Sequence, residues 1–187
     1  MKHKTFTTRK IAFAAMMAAL TCAGSALRIT MPLAIAGTTS FHLGNIMCAL
    51  SGILLGPWLG GLAAGMGSAI YDMFNPAFID EAWQTFLMKG VYGLAAGLIA
   101  FSGKNAPSYS RATFGALAGA LSYAVLYLAK SYYKAIWIQG VAANAAWIVV
   151  VDKLPATIFN GAVAVIFAPV LAAAISKALR RNHLSLD

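Results

Sequence analysis

Phe41-His42-Leu43-Gly44-Asn45, followed after eight residues by Leu54-Leu55-Gly56-Pro57-Trp58-Leu59-Gly60-Gly61-Leu62-Ala63-Ala64-Gly65-Met66-Gly67-Ser68-Ala69-Ile70-Tyr71-Asp72, is the stretch on which the fold turns. From Leu43 to Tyr71 it carries no Asp, Glu, Lys or Arg, and Gly56-Pro57 and Gly60-Gly61 punctuate it in the middle. Small residues recur at four-residue spacing, Gly52/Gly56/Gly60 and Gly61/Gly65, the pattern that lets helix backbones approach closely where lipid supplies no hydrophobic drive. The stretch reads as a helical hairpin with a tight turn at Gly-Pro and a glycine-faced return helix that ends in an acid.

The rest of the chain agrees with that reading. Of its 187 residues 60% are apolar by type and only 10% are charged, too greasy for a soluble domain of this size. Apolar runs fall at 11–31, 43–58, 60–74, 84–102, 112–131, 135–151 and 154–179. In a bilayer such runs must pair their own backbone groups, so they have to be helices. The expectation is an all-α membrane protein forming one domain over 1–187, without linker or low-complexity segment. Lys2, Lys4, Arg9 and Lys10 ahead of the first run, and the small residues Ala23-Gly24-Ser25-Ala26 at its end, read as an uncleaved first helix rather than a signal peptide.

Charge placement sets the expected topology. If every run crossed, Lys177, Arg180 and Arg181 would lie outside, against the tendency of basic residues to remain in the cytoplasm. The run 135–151 is short, holds Gln139, Gly140 and Asn144, and follows the interfacial pattern Lys130-Ser131-Tyr132-Tyr133-Lys134, so it reads as an extra apolar outer segment. Six transmembrane helices then leave both termini cytoplasmic. Lys2, Lys4, Arg9, Lys10, Lys104, Arg111, Lys177, Arg180 and Arg181 share that side, and Asp72, Asp80, Glu81 and Asp152 fall outside.

Several function classes fail on residue pattern. The net charge of +9 does not form a basic stripe interleaved with aromatics, so nucleic acid is not an expected partner. Gly103-Lys104-Asn105 has Leu98 where a phosphate loop needs its first glycine and Asn where magnesium needs Ser or Thr. Gly65-Met66-Gly67-Ser68-Ala69 lacks a base and orienter for a serine nucleophile, His42 being the single histidine away from the termini. Cys22 and Cys48 sit inside apolar runs without metal-site spacing and read as buried free thiols. Neither catalysis, nor a metal, nor a resident cofactor is expected.

The quoted stretch also resembles the signature of the substrate-binding S components of energy-coupling-factor vitamin importers, the riboflavin-type group in particular. There His-Leu-Gly-Asp or -Asn opens the second helix and Leu-Leu-Gly-Pro joins it to the third. The likeness continues through Phe86-Leu87-Met88-Lys89-Gly90-Val91-Tyr92-Gly93-Leu94-Ala95-Ala96-Gly97 and, more loosely, Leu154-Pro155-Ala156-Thr157-Ile158-Phe159-Asn160-Gly161. The chain departs from the commoner pattern with Asn45 for Asp, Tyr71 before Asp72, and the long outer stretch 130–152. The resemblance implies a multi-pass subunit of a prokaryotic cell membrane that captures a vitamin from outside. It implies as partners a transmembrane coupling subunit, docked on helix-one alanines, and two ATPases; Ala14, Ala15, Ala18 and Ala19 match that alanine pattern, which ordinary packing within the chain would also produce.

For the substrate the resemblance implies a site near the outer side, a region holding Asn45, Asp72, Trp83, Gln84, Lys89, Tyr92, Tyr123, Tyr127, Lys130, Trp137, Gln139, Asn144, Trp147 and Asn160. Rings that stack and amides that satisfy edge donors suit a flat heteroaromatic ligand. Trp83, Trp137 and Trp147 fit an interfacial aromatic belt equally well. Asp72 and Lys89, as ionisable groups in the membrane, read either as a mutually neutralising pair or as ligand contacts, and Asn160 as a ligand contact or an interhelical bond. The aromatics of 130–152 point to something bulkier than a single ring, a flavin or a corrinoid. The rival is a self-sufficient secondary transporter built on Asp72 and Lys89.

Overall fold

The structure, a computed structural model, describes residues 7–33, 38–103 and 107–182. Lys2, Lys4, Lys104 and Asn105 lie outside the described residues. Helix α1 (Thr8–Ala26) is capped by the Thr7 hydroxyl, which accepts the Lys10 N–H at 3.4 Å. The chain then departs from the expected apolar run. Arg28–Pro32 forms strand β1, paired antiparallel with β2 (Thr38–His42), with Arg28 opposite His42 and Thr30 opposite Ser40. Ile29, Thr30, Thr38 and Thr39 are β-branched and suit the extended chain.

Helix α2 (Gly44–Met73) is the hairpin read from the sequence. Gly56, at φ 79° and ψ 179°, breaks it into two arms, in a backbone region open essentially to glycine alone. Pro57 then starts the return arm, where its missing N–H costs nothing. The arms close tightly: a Cβ on Gly60 would stand 2.5 Å from Gly52 Cα, and Cys48 Sγ lies 3.7 Å from Ser68 Oγ across the pair.

A 3-10 turn at Ile79–Glu81 leads into α3 (Ala82–Ala100), which packs antiparallel on the return arm. Helix α4 (Tyr109–Trp137) and helix α5 (Ala143–Arg181) complete the bundle. At 1.5 Å per residue they are about 44 and 58 Å long, well beyond a hydrocarbon layer of about 30 Å. The separate outer segment expected at 135–151 is therefore corrected: those residues end α4, turn at Gly140 (φ 68°) and begin α5. Ala135, Ala146 and Val149 form a small core for this overhang, and Tyr132 packs 4.8 Å from Trp147.

The bundle is all-α apart from the one hairpin among the described residues. Its interior is built largely from alanine and glycine, while Trp58, Val125, Ile158 and Phe114 point outward. That arrangement suits a lipid surround. Among the described residues three helices, α2, α4 and α5, are long and apolar enough to cross a membrane by length and composition.

Candidate substrate-binding site

One end of the bundle gathers the last turn of α1, the β-hairpin, both ends of α2 and the first turns of α3. The C-terminal half of α4 and N-terminal half of α5 join them there. Between these elements lies a cavity of about 200 Å³. Helical spacing delivers its walls: Tyr123, Tyr127, Lys130 and Lys134 share one face of α4, and Lys153, Thr157 and Asn160 share one face of α5.

Asn45 and Lys89 meet at the floor. Lys89, 3% exposed, donates to Asn45 Oδ1, and its ammonium lies 3.7 Å from the centre of the Tyr123 ring. Of the two readings of Asp72 and Lys89, the mutually neutralising pair is not formed: no ion pair joins these two described residues, and both line the cavity. Tyr123 stacks on Tyr127 at 5.5 Å with 14° between planes, giving the cavity an aromatic wall.

The hairpin forms the roof. Asn160 accepts the His42 N–H at 3.0 Å and donates to the Ser40 carbonyl at 2.8 Å, so its amide is both cavity wall and interelement bond. His42 Nδ1 accepts the N–H of Gly44, the first residue of α2, at 3.1 Å. Burial, then the charges of Lys89 and Arg28, hold that imidazole well below its usual pKa, so it is neutral and able to accept. Arg28 Nε donates to the Ser25 carbonyl, and its guanidinium lies 4.1 Å from the Tyr71 ring centre and 4.8 Å from that of Phe78.

At the mouth, Lys130 and Lys134 each take one oxygen of Glu81. Burial disfavours the Glu81 charge, but those hydrogen bonds and charges outweigh it and hold its pKa at about 2. Lys153 donates to Ser131 Oγ at 3.0 Å.

Of the residues singled out from sequence, Asn45, Asp72, Lys89, Tyr123, Tyr127, Lys130, Gln139 and Asn160 line this cavity. Tyr92 is fully buried behind it, 5.9 Å from Tyr123 between ring centres. Trp83, Gln84 and Trp137 instead border an open apolar groove between α3 and α4. Trp147 packs on Tyr132, and Asn144 bonds its own helix at the Ala145 N–H. Arg28, His42, Glu81, Lys134 and Lys153 are cavity residues that the sequence reading left out. For Lys153 and Lys134 the available signal was helical spacing, i, i+4, i+7 from Lys153 to Asn160 and i, i+3, i+7 from Tyr127 to Lys134.

Helix α1 sorts its alanines onto two faces. Ala14 and Ala18 pack inward against the core, whereas Ala15 and Ala19 are exposed.

Over 114 residues, 61% of this chain and 72% of the relative, the sequence is 30% identical to an uncharacterized protein encoded in a gap 3' region of Pyrococcus woesei. No solved structure matches the chain significantly. The family model described as "ECF-type riboflavin transporter, S component" matches residues 5–177, so the chain belongs to the S components, the substrate-binding membrane subunits of ECF transporters.

Proposed function

We propose that this S component captures a flavin-sized vitamin or related micronutrient from outside a prokaryotic cell. It passes the ligand inward in complex with a separate transmembrane coupling subunit and two ATPases. The single observation that carries the reading is the cavity itself, lined by the stacked Tyr123 and Tyr127 together with the amides of Asn45, Gln139 and Asn160. Rings and amide edges together match a flat heteroaromatic ligand. A volume of about 200 Å³ favours a flavin ring system over a corrinoid.

In this reading α1, the two arms of α2, α3, α4 and α5 make six crossings, with both termini cytoplasmic. Arg9, Lys10, Arg111, Lys177, Arg180 and Arg181 support it, since they sit at the helix ends opposite the cavity. The exposed Ala15 and Ala19 are the docking face for the coupling subunit, and Ala14 and Ala18 are internal packing.

The test is purification from cells grown in rich medium, with mass spectrometry of the co-purified small molecule, beside uptake of that molecule with and without coupling subunits. A bound vitamin and uptake only when the coupling subunits are present are expected. Transport by the chain alone overturns the proposal.

A further inference from the structure

The charge in the cavity does not balance. Five cationic side chains, Arg28, Lys89, Lys130, Lys134 and Lys153, line it against the carboxylates of Asp72 and Glu81. The excess concentrates at the mouth. Glu81 gives one oxygen to Lys130 and one to Lys134, and among the described residues it forms no ion pair with Lys153. Lys153 spends its hydrogen bond on a neutral hydroxyl, Ser131 Oγ, and Asp152 beside it in sequence is not a cavity residue. Lys130 and Lys153 both flank the Tyr127 ring, at 5.9 and 5.0 Å from its centre. Three ammonium groups around one carboxylate repel one another in a partly dehydrated space, and such a cluster persists where a further anion completes it.

We propose that the ligand of this cavity is an anion, a soluble carboxylate- or phosphate-bearing molecule whose charged group sits between Lys130 and Lys153 while its ring meets Tyr127. The inference rests on the capture function proposed above and adds the ligand's charge. Lys153 is its most specific residue, being the lysine of this cluster that forms no ion pair with a carboxylate among the described residues.

The experiment compares matched probes that differ in one charged group: riboflavin with riboflavin 5′-phosphate, and pyridoxal with pyridoxal 5′-phosphate, with inorganic phosphate as a fifth ligand. The full chain is held in phosphatidylcholine nanodiscs, so that no anionic headgroup competes for the lysines. Thermal shift and equilibrium titration are read at low and high salt. The expected result is that the phosphorylated member of at least one pair binds ten-fold or more tightly than its neutral partner, and that high salt shrinks the difference. Lys153→Gln removes that preference and Lys153→Arg keeps it. Binding of the neutral members with no gain from phosphate overturns the anion inference while leaving vitamin capture standing. Stabilisation by inorganic phosphate alone, or by none of the five, overturns the inference as well, and the uptake assay then judges capture separately. Should Lys153→Gln fold poorly, Lys130→Gln in the same assay reads the same cluster.

Discussion

Asn160 Oδ1, on α5, accepts the backbone N–H of His42, on β2, at 3.0 Å across 118 residues of sequence. With the second bond to the Ser40 carbonyl at 2.8 Å, one side chain holds the cavity roof on its wall. Asn160→Leu should therefore do two things. Leaving the His42 N–H and Ser40 carbonyl unpaired costs about 1–3 kcal/mol for each group that water cannot reach. The expected outcome is a lower unfolding temperature and a faster ligand off-rate, since the roof loosens with the bond. Asn160→Gln, unable to place both atoms, falls between. An unchanged off-rate in Asn160→Leu would show that the roof does not control exit.

Lys89 makes a sharper separation of binding from folding. Its ammonium is buried against Asn45 and the Tyr123 ring, where a charge is expensive to keep. Lys89→Met replaces it with an apolar side chain of similar length. The folded state should lose little thermal stability, since removing a buried charge offsets the loss of the partner of Asn45 Oδ1. Ligand affinity should drop by a factor of ten or more. Full affinity in the Met variant would make Lys89 purely structural.

Acid stability follows from Glu81. Its folded pKa, about 2, lies below the ordinary value of 4.5. The unfolded chain therefore takes up the proton first, and the stabilisation is complete above about pH 4.5 and lost as pH falls towards about 2. His42 adds a separate slope below its ordinary 6.5, because its folded pKa is depressed too and its unfolded form charges first. The difference in unfolding free energy between wild type and Glu81→Gln isolates the first effect. It should stay constant from pH 7 to about 5 and shrink below that. A difference that persists undiminished near pH 2 would sink the assignment.

The bend in α2 is a backbone matter. Gly56 adopts φ 79° and ψ 179°, and the nearest atom a Cβ would meet is 3.9 Å away, so space is not the constraint. Conformation is. Gly56→Ala should cost about 1–3 kcal/mol through strain alone, measured as a lower unfolding midpoint, whereas Gly140→Ala, also at positive φ but in an open turn, should cost less than Gly56→Ala because that turn can relax.

These same elements show what the sequence made legible. The hairpin was readable because Gly56-Pro57 is a local signal, and local chemistry sets that turn. Strand β1 was not, since Ile29 and Met31 extend an apolar run that began in α1, and only pairing with Thr38–His42 turns it into a strand. The overhang of α4 and α5 was hidden for a related reason: an apolar stretch from 135 to 151 looks alike whether it is one segment or two helix ends, and Gly140 alone marks the break. Cavity residues fared according to reach. Asn45 and Asn160 stood out as polar groups in apolar runs, while the partner of Lys89 depended on which helix packs beside it, which residue spacing within one helix does not contain.

Helix α1 gives the test of coupling. Ala14 and Ala18 lie on the inward face, with the Ala18 carbonyl packed on Gly67, while Ala15 and Ala19 face out beside Ile11, Met16 and Leu20. A large side chain on the inward pair has to displace α2, so Ala18→Trp should unfold the bundle or lower its unfolding temperature sharply. On the outward pair it meets only lipid in the isolated protein. Ala15→Trp and Ala19→Trp should therefore leave folding and ligand affinity within two-fold of wild type. If close helix contact with the coupling subunit uses that stripe, the same variants should abolish ATP-driven uptake and co-purification with the coupling subunit. Normal uptake by Ala15→Trp/Ala19→Trp would move the docking face off α1, because no partner helix packs closely over two indoles.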